Sequence, residues 1–107
     1  MKLPVNSTIK DIFGKDIVPP PSADDPNPAP MTLATVIQNS LLNALKGDEN
    51  MDGASKLALH TLAVRTLDPD SDYLIDEDVS LIKRRIGMAY GPVIVGPAYA
   101  LIEGGTK

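Results

Sequence analysis

The chain has 107 residues, a formal net charge of −4, ten prolines, one histidine and no cysteine. That length suits one domain with a modest core, and the lack of cysteine excludes disulfides and thiolate metal sites. No apolar stretch approaches the ~18 residues of a membrane span, and Met1 and Lys2 precede no apolar signal segment, so a soluble intracellular protein is expected.

Residues 7–18 read as two short apolar runs flanking Phe13-Gly14-Lys15-Asp16. Gly14 permits a tight turn, so the pattern predicts a short β-hairpin or an extended arm over residues 1–18. Two strands alone are marginal in water, which requires the arm to pack on something. Residues 19–30 gather six of the ten prolines. Proline removes backbone donors and fixes φ, so neither helix nor central strand can form there. This segment reads as an extended, exposed linker rather than a docking motif.

The helical domain is expected over residues 31–104. A first helix over residues 32–46 follows from Leu33, Val36, Ile37, Ser40, Leu41, Ala44 and Leu45, with Thr32 as N-cap, Met31 positioned to staple onto Val36, and Gly47 as the stop. A second helix over residues 53–66 is capped by Asp52 and ended by Asp68-Pro69. A loop follows, with an extended piece at Tyr73-Leu74-Ile75. Val79, Ile82, Ile86 and Ala89 fall at i, i+3, i+7 and i+10 and predict a third helix, with Asp76 as its cap. Lys83, Arg84 and Arg85 are placed largely off that apolar face. Gly91 and Pro92 mark a helix end and the first position of a fourth helix, inside which Pro97 should produce a kink. The fold class is therefore mainly α: a small four-helix domain carrying an N-terminal hairpin or arm through a Pro-rich linker.

Charge is distributed unevenly. Residues 48–78 carry nine acids against two bases, and residues 79–107 carry four bases against one acid. Such asymmetry can steer a charged partner, although mutual neutralisation within the chain is the plainer reading.

Three stretches invite a chemical reading. Asp48-Glu49-Asn50-Met51-Asp52-Gly53 matches the first half of a calcium loop, with oxygen donors at positions 1, 3 and 5 and glycine at 6. The second half fails: Lys56 stands at position 9, and Leu59 replaces the bidentate Glu at 12. An interhelical turn with Asp52 capping the next helix is the better account, and the Asp68–Asp72 stretch is weaker still as a metal loop. His60 has no second histidine or cysteine to share a metal, and Ser55 is placed wrongly for a catalytic pair. Gly87, Gly91 and Gly96 lack the lysine and strand of a phosphate loop and read as packing positions. No cofactor, metal or catalytic residue is expected.

Two surfaces remain. Lys83-Arg84-Arg85 is the one basic cluster, a candidate nucleic-acid contact, but its acidic neighbourhood would repel phosphate. Val93, Ile94, Val95, Ala98, Tyr99, Leu101 and Ile102 form a very apolar helix whose strip exceeds what three other helices should cover. This is the candidate partner interface, with a homodimer as the expected occupant and the N-terminal Ile12, Phe13 and Ile17 as the competing cover within the chain.

The stretch from residue 31 to residue 103 resembles a family of small proteins encoded by tailed bacteriophages and prophages. The matching pieces are Thr32-Leu33 with Asn43-Ala44-Leu45, the acidic turn before the second helix, Asp76 with Ser80-Leu81-Ile82-Lys83, Tyr90-Gly91-Pro92-Val93-Ile94-Val95-Gly96, and Ala98-Tyr99. Lys10-Asp11-Ile12-Phe13-Gly14-Lys15 resembles the N-terminal turn of the same family. Pro97 and the proline-rich segment depart from that pattern. The resemblance implies a phage setting, in the host cytoplasm or on the virion, and no activity. The resulting expectation is a non-enzymatic accessory acting on a phage or host protein, as a tail-assembly chaperone or a host modulator. The alternative is a nucleic-acid-binding regulator using Lys83, Arg84 and Arg85.

Overall fold

A computed structural model describes residues 3–45, 47–68 and 74–105 of the chain. It is mainly helical, with four helices in the order α1 (Leu33–Leu42), α2 (Gly53–Leu67), α3 (Asp76–Ala89) and α4 (Pro92–Gly105). Helix α1 is the centre: it packs against α2, α3 and α4, and α4 also rests on α3. The reason is compositional. Leu33, Val36, Ile37 and Leu41 are buried on α1, and Ser40 joins them by donating its hydroxyl to Val36 O at 2.7 Å. A fully buried aliphatic side chain contributes roughly 1.5–3 kcal/mol. Ile82 and Ile86 on α3 and Ala98 and Ile102 on α4 complete the same core.

The caps follow local chemistry. Thr32 Oγ1 accepts from Thr35 N at 3.4 Å to start α1, and Asp52 Oδ1 accepts from Ser55 N at 2.8 Å to start α2. The third helix differs from expectation. Ile75, not Asp76, occupies its N-cap; Asp76 is its first residue, and Asp78 reaches back to accept from Ile75 N at 3.2 Å. Pro92 opens α4 as expected, with Gly91 O accepting from Ile94 N and Val95 N. Helix α4 continues through Pro97 to Gly105. Proline removes the bond to Val93 O at that point, and Val93 is exposed, which leaves water able to take the donor's place.

The N-terminal segment belongs to this core. Leu3 and Ile9 are buried with the helices, and Val5 and Ile17 pack at the edge of the cluster. Among the described residues there is no strand in the segment. Two isolated antiparallel bridges, Lys10 with Asp16 and Thr8 with Thr32, stand where a hairpin was expected. Three main-chain bonds tie the segment together: Ile17 N to Ile9 O, Ile9 N to Met31 O, and Met31 N to Ile17 O. The proline-rich residues 19–30 therefore leave at Ile17 and return at Met31, an exposed excursion with joined ends rather than a spacer holding the arm away. Single bridges suffice here because proline prevents a ladder from growing beyond Ile17.

Helix α1 ends four residues earlier than its apolar periodicity predicts. Ala44 and Leu45 continue the pattern, yet Asn43 is the C-cap, in extended conformation. The cause lies in another element, α3, whose Arg85 donates to Ser40 O and Asn43 O. The acidic stretch 69–72, Tyr73 and Lys46, on which a weak metal loop, an extended piece and the end of the first helix were expected, lie outside the described residues.

Candidate functional site: an arginine under the end of the first helix

The last carbonyls of a helix have no intrahelical donors and need partners. At the end of α1 these partners come from Arg85. Its Nε donates to Ser40 O at 2.9 Å, its Nη2 to Asn43 O at 3.3 Å, and its Nη1 to Asp48 Oδ1 at 2.7 Å. The other oxygen of Asp48 accepts from Leu45 N at 2.7 Å. The guanidinium fork thus closes the helix, holds the following turn and pairs with its carboxylate at once, which a lysine could not do. Arg85 is only 4 % exposed. Hydrogen bonding from Arg85 and then from the Leu45 amide holds the Asp48 carboxyl below its ordinary value.

This geometry relocates the basic cluster. Arg85 was placed off the apolar face as a phosphate contact and is instead internal. It sits at i+3 from Ile82 and beside Ile86, inside the buried stripe, and that spacing was the signal available in the sequence. Lys83 Nζ pairs with Glu103 Oε1 at 3.0 Å and lies 5.0 Å from the centroid of the Tyr99 ring. Arg84 is exposed. Sequence proximity of the three cations therefore does not become one basic surface.

Asp48 and Asp52, two of the would-be calcium donors, are engaged in the Arg85 pair and the α2 cap. A guanidinium at 2.7 Å from the first of them occupies the electrostatic role a cation would fill. His60 borders a cleft of about 440 Å3 that also touches Asp48, Glu49 and Arg85, but His60 itself is exposed. Among the described residues no group of three His, Asp or Glu side chains is gathered to hold a metal.

Residues of the expected α4 interface divide into two sets. Ala98 and Ile102 are fully buried in the core of their own chain; Ile94, Val95, Tyr99 and Leu101 are half-buried against it; Val93 is open to water. Thr8 and Lys10 lie along α4 beside Pro97, Ala100 and Leu101, so the N-terminal segment contributes cover. That cover comes from the stretch around Ile9 and not from Ile12 or Phe13, which point into solvent. Tyr99 also fixes α4 to α3, since its hydroxyl donates to Lys83 O. Gly87 makes the approach workable: a Cβ there would stand 3.0 Å from the Tyr99 hydroxyl. Tyr90 ties the α3–α4 corner to α1 by accepting from Asn39 Nδ2 at 2.9 Å.

A second cleft separates the first half of α2 from the second half of α3. Met51, Ala58, Leu59, Leu81 and Met88 line it together with Arg84 and Arg85. At the opposite ends the two helices are joined by Arg65 Nη2 and Asp78 Oδ2 at 3.3 Å. No helix among the described residues is long and apolar enough to cross a membrane. No protein-family model, curated protein or solved structure matches the chain.

Proposed function

We propose that this chain is a non-enzymatic accessory protein that works by binding another protein. In the phage setting implied by its family resemblance, that partner is a phage protein, with this chain as a morphogenesis accessory such as a tail-assembly chaperone, or a host protein that it modulates. Its place of action is then the host cytoplasm or the virion.

The observation supporting this reading is the apolar surface of ordered helices. Leu57 and Val64 on α2, Met88 on α3 and Val93 on α4 are exposed. Polar side chains with chemical potential are meanwhile engaged inside the fold, Arg85 and Asp48 above all. Nucleic-acid binding is the weaker reading, because Arg84 is left without Arg85 beside it, and phosphate affinity needs several cations acting together.

The test compares the wild-type chain with Leu57→Lys/Val93→Lys as bait in phage-infected host lysate. Both substitutions lie at exposed positions, so the far-ultraviolet spectrum and melting temperature should be unchanged. The expected result is one host or phage protein retained by the wild type and lost by the variant. A wild-type bait that retains no host or phage protein contradicts the reading; equal retention by both baits moves the contact away from Leu57 and Val93. A parallel salt titration against random duplex DNA should show no binding.

A further inference from the structure

The turn at residues 11–15 combines rigidity with an apolar tip. Asp11 Oδ1 accepts from Phe13 N at 2.8 Å and from Lys15 N at 3.0 Å. Asp11 N donates to Lys15 O at 2.8 Å, and Gly14 N to Asp11 O at 3.0 Å, with Gly14 at φ +79. Lys10 pairs with Asp16 at its base, and Thr8 donates to the same carboxylate. All this bonding presents Ile12 and Phe13 to water at 91 % and 80 % exposure. Phe13 is the chain's one phenylalanine. Displaying it on a braced turn removes the ordering cost that a flexible loop would incur on binding.

The same chain carries a receptor for such a tip. The cleft between α2 and α3, about 350 Å3, is lined by Met51, Leu59, Leu81 and Met88 together with Arg84 and Arg85. Thioethers and a guanidinium are the groups that contact an aromatic ring favourably, through sulfur–aromatic and cation–π interactions. Charges also complement. Asp11 flanks the tip, and Arg84, of opposite sign, lines the cleft. Phe13 is too exposed to occupy the cleft of its own chain, so the fitting occupant is the tip of a second copy.

We propose that the chain associates head to tail, with Ile12 and Phe13 of one copy seated in the α2–α3 cleft of the next. This inference rests on the reading of the chain as a protein-binding accessory. A contact between two different patches is heterologous: a single contact leaves a free tip at one end and a free cleft at the other, so two copies close it reciprocally or further copies extend it into larger rings or filaments. Two apolar side chains and a rim form a small interface, so the association is weak and concentration-dependent.

Sedimentation velocity across ~10 to ~500 µM, the range suited to a small weak interface, is the test. The wild type should gain mass with concentration, to a reciprocal dimer or larger. Phe13→Asp loses the tip and Met88→Asp blocks the cleft; each should remain monomeric with an unchanged circular dichroism spectrum. Their equimolar mixture should form a dimer and nothing larger, since each retains one half of the contact. Phe13→Ser with Arg84→Glu repeats the experiment should Met88→Asp disturb the fold. A wild type that stays monomeric throughout, or a mixture that stays monomeric while the wild type associates, overturns the proposal. A monomeric wild type that still retains its host or phage partner through Leu57 and Val93 would remove this inference alone.

Discussion

Two turns in this molecule are built with the same tools and put to opposite use. At residues 11–15 an aspartate accepts backbone amides, a lysine–aspartate pair closes the base, and apolar side chains face water. At residues 45–48 an aspartate again accepts a backbone amide and again pairs with a cation, but the pair is internal and the cation is an arginine under a helix end. Polarity is thus inverted at both places, with isoleucine and phenylalanine outside and arginine inside. An exposed ion pair is screened and contributes little, whereas a buried one cannot lose a partner without leaving a charge and two carbonyls unsatisfied. The second turn is where the fold depends on polar chemistry, and the first is where apolar surface is free for a partner.

The contrast within the N-terminal segment gives the largest effect. Ile9 is fully buried beneath a turn whose tip is exposed. Ile9→Ala should destabilise the whole domain by about 3 kcal/mol in urea unfolding, in a single transition. Ile12→Ala should change stability by less than about 0.5 kcal/mol. A separate early transition in Ile9→Ala would mean that the segment is not part of the common core.

Acid separates the two turns next. The Asp48 carboxyl titrates below its ordinary value because Arg85 and the Leu45 amide favour its charged form, so the folded state takes up that proton less readily than the unfolded chain. The stability it supplies is complete above about pH 4, the unfolded value, and is lost as pH falls through the lower folded value. Asp48→Asn should therefore melt lower than wild type at pH 7 and show a shallower decline between pH 4 and pH 2. Asp16 is also held low, first by its bond from Lys10 and then by Thr8, but in an exposed setting. Asp16→Asn should leave the acid limb of the melting curve nearly as it is in wild type.

The smallest effects come from glycines in helices away from both turns. A Cβ at Gly104 meets nothing, so Gly104→Ala should stabilise by up to about 1 kcal/mol through helix propensity. Gly87→Ala should gain less, because its Cβ must push the Tyr99 hydroxyl from Lys83 O. Equal gains at the two positions would show that Tyr99 is not held where described.

Much of this fold was legible in the sequence because it is local. Thr32 and Asp52 announce themselves as caps, Pro92 as a first helical residue, and the Val79, Ile82, Ile86 repeat as a buried face. The misreadings were tertiary. Ala44 and Leu45 keep the helical period, but Arg85 takes the carbonyls of Ser40 and Asn43, and Asp48 takes the Leu45 amide, so the chain leaves the helix where those partners wait. Arg85 was read as surface because it neighbours Lys83 and Arg84, although its spacing from Ile82 placed it in the stripe. Ile9 and Ile12 carry the same side chain, and no propensity distinguishes which is buried; the bonds to Ile17 and Met31 do.

The central claim is that the basic run is divided, with Arg85 given to the fold and Arg84 left at the surface. Thermal unfolding of Arg84→Met and Arg85→Met at pH 7, side by side, tests it most directly. Methionine keeps the aliphatic length and removes the charge and the donors. The account predicts an unchanged midpoint for Arg84→Met and a loss of about 3 kcal/mol for Arg85→Met, the scale of breaking a buried network. Equal midpoints for the two variants, or a larger loss at Arg84, would contradict it.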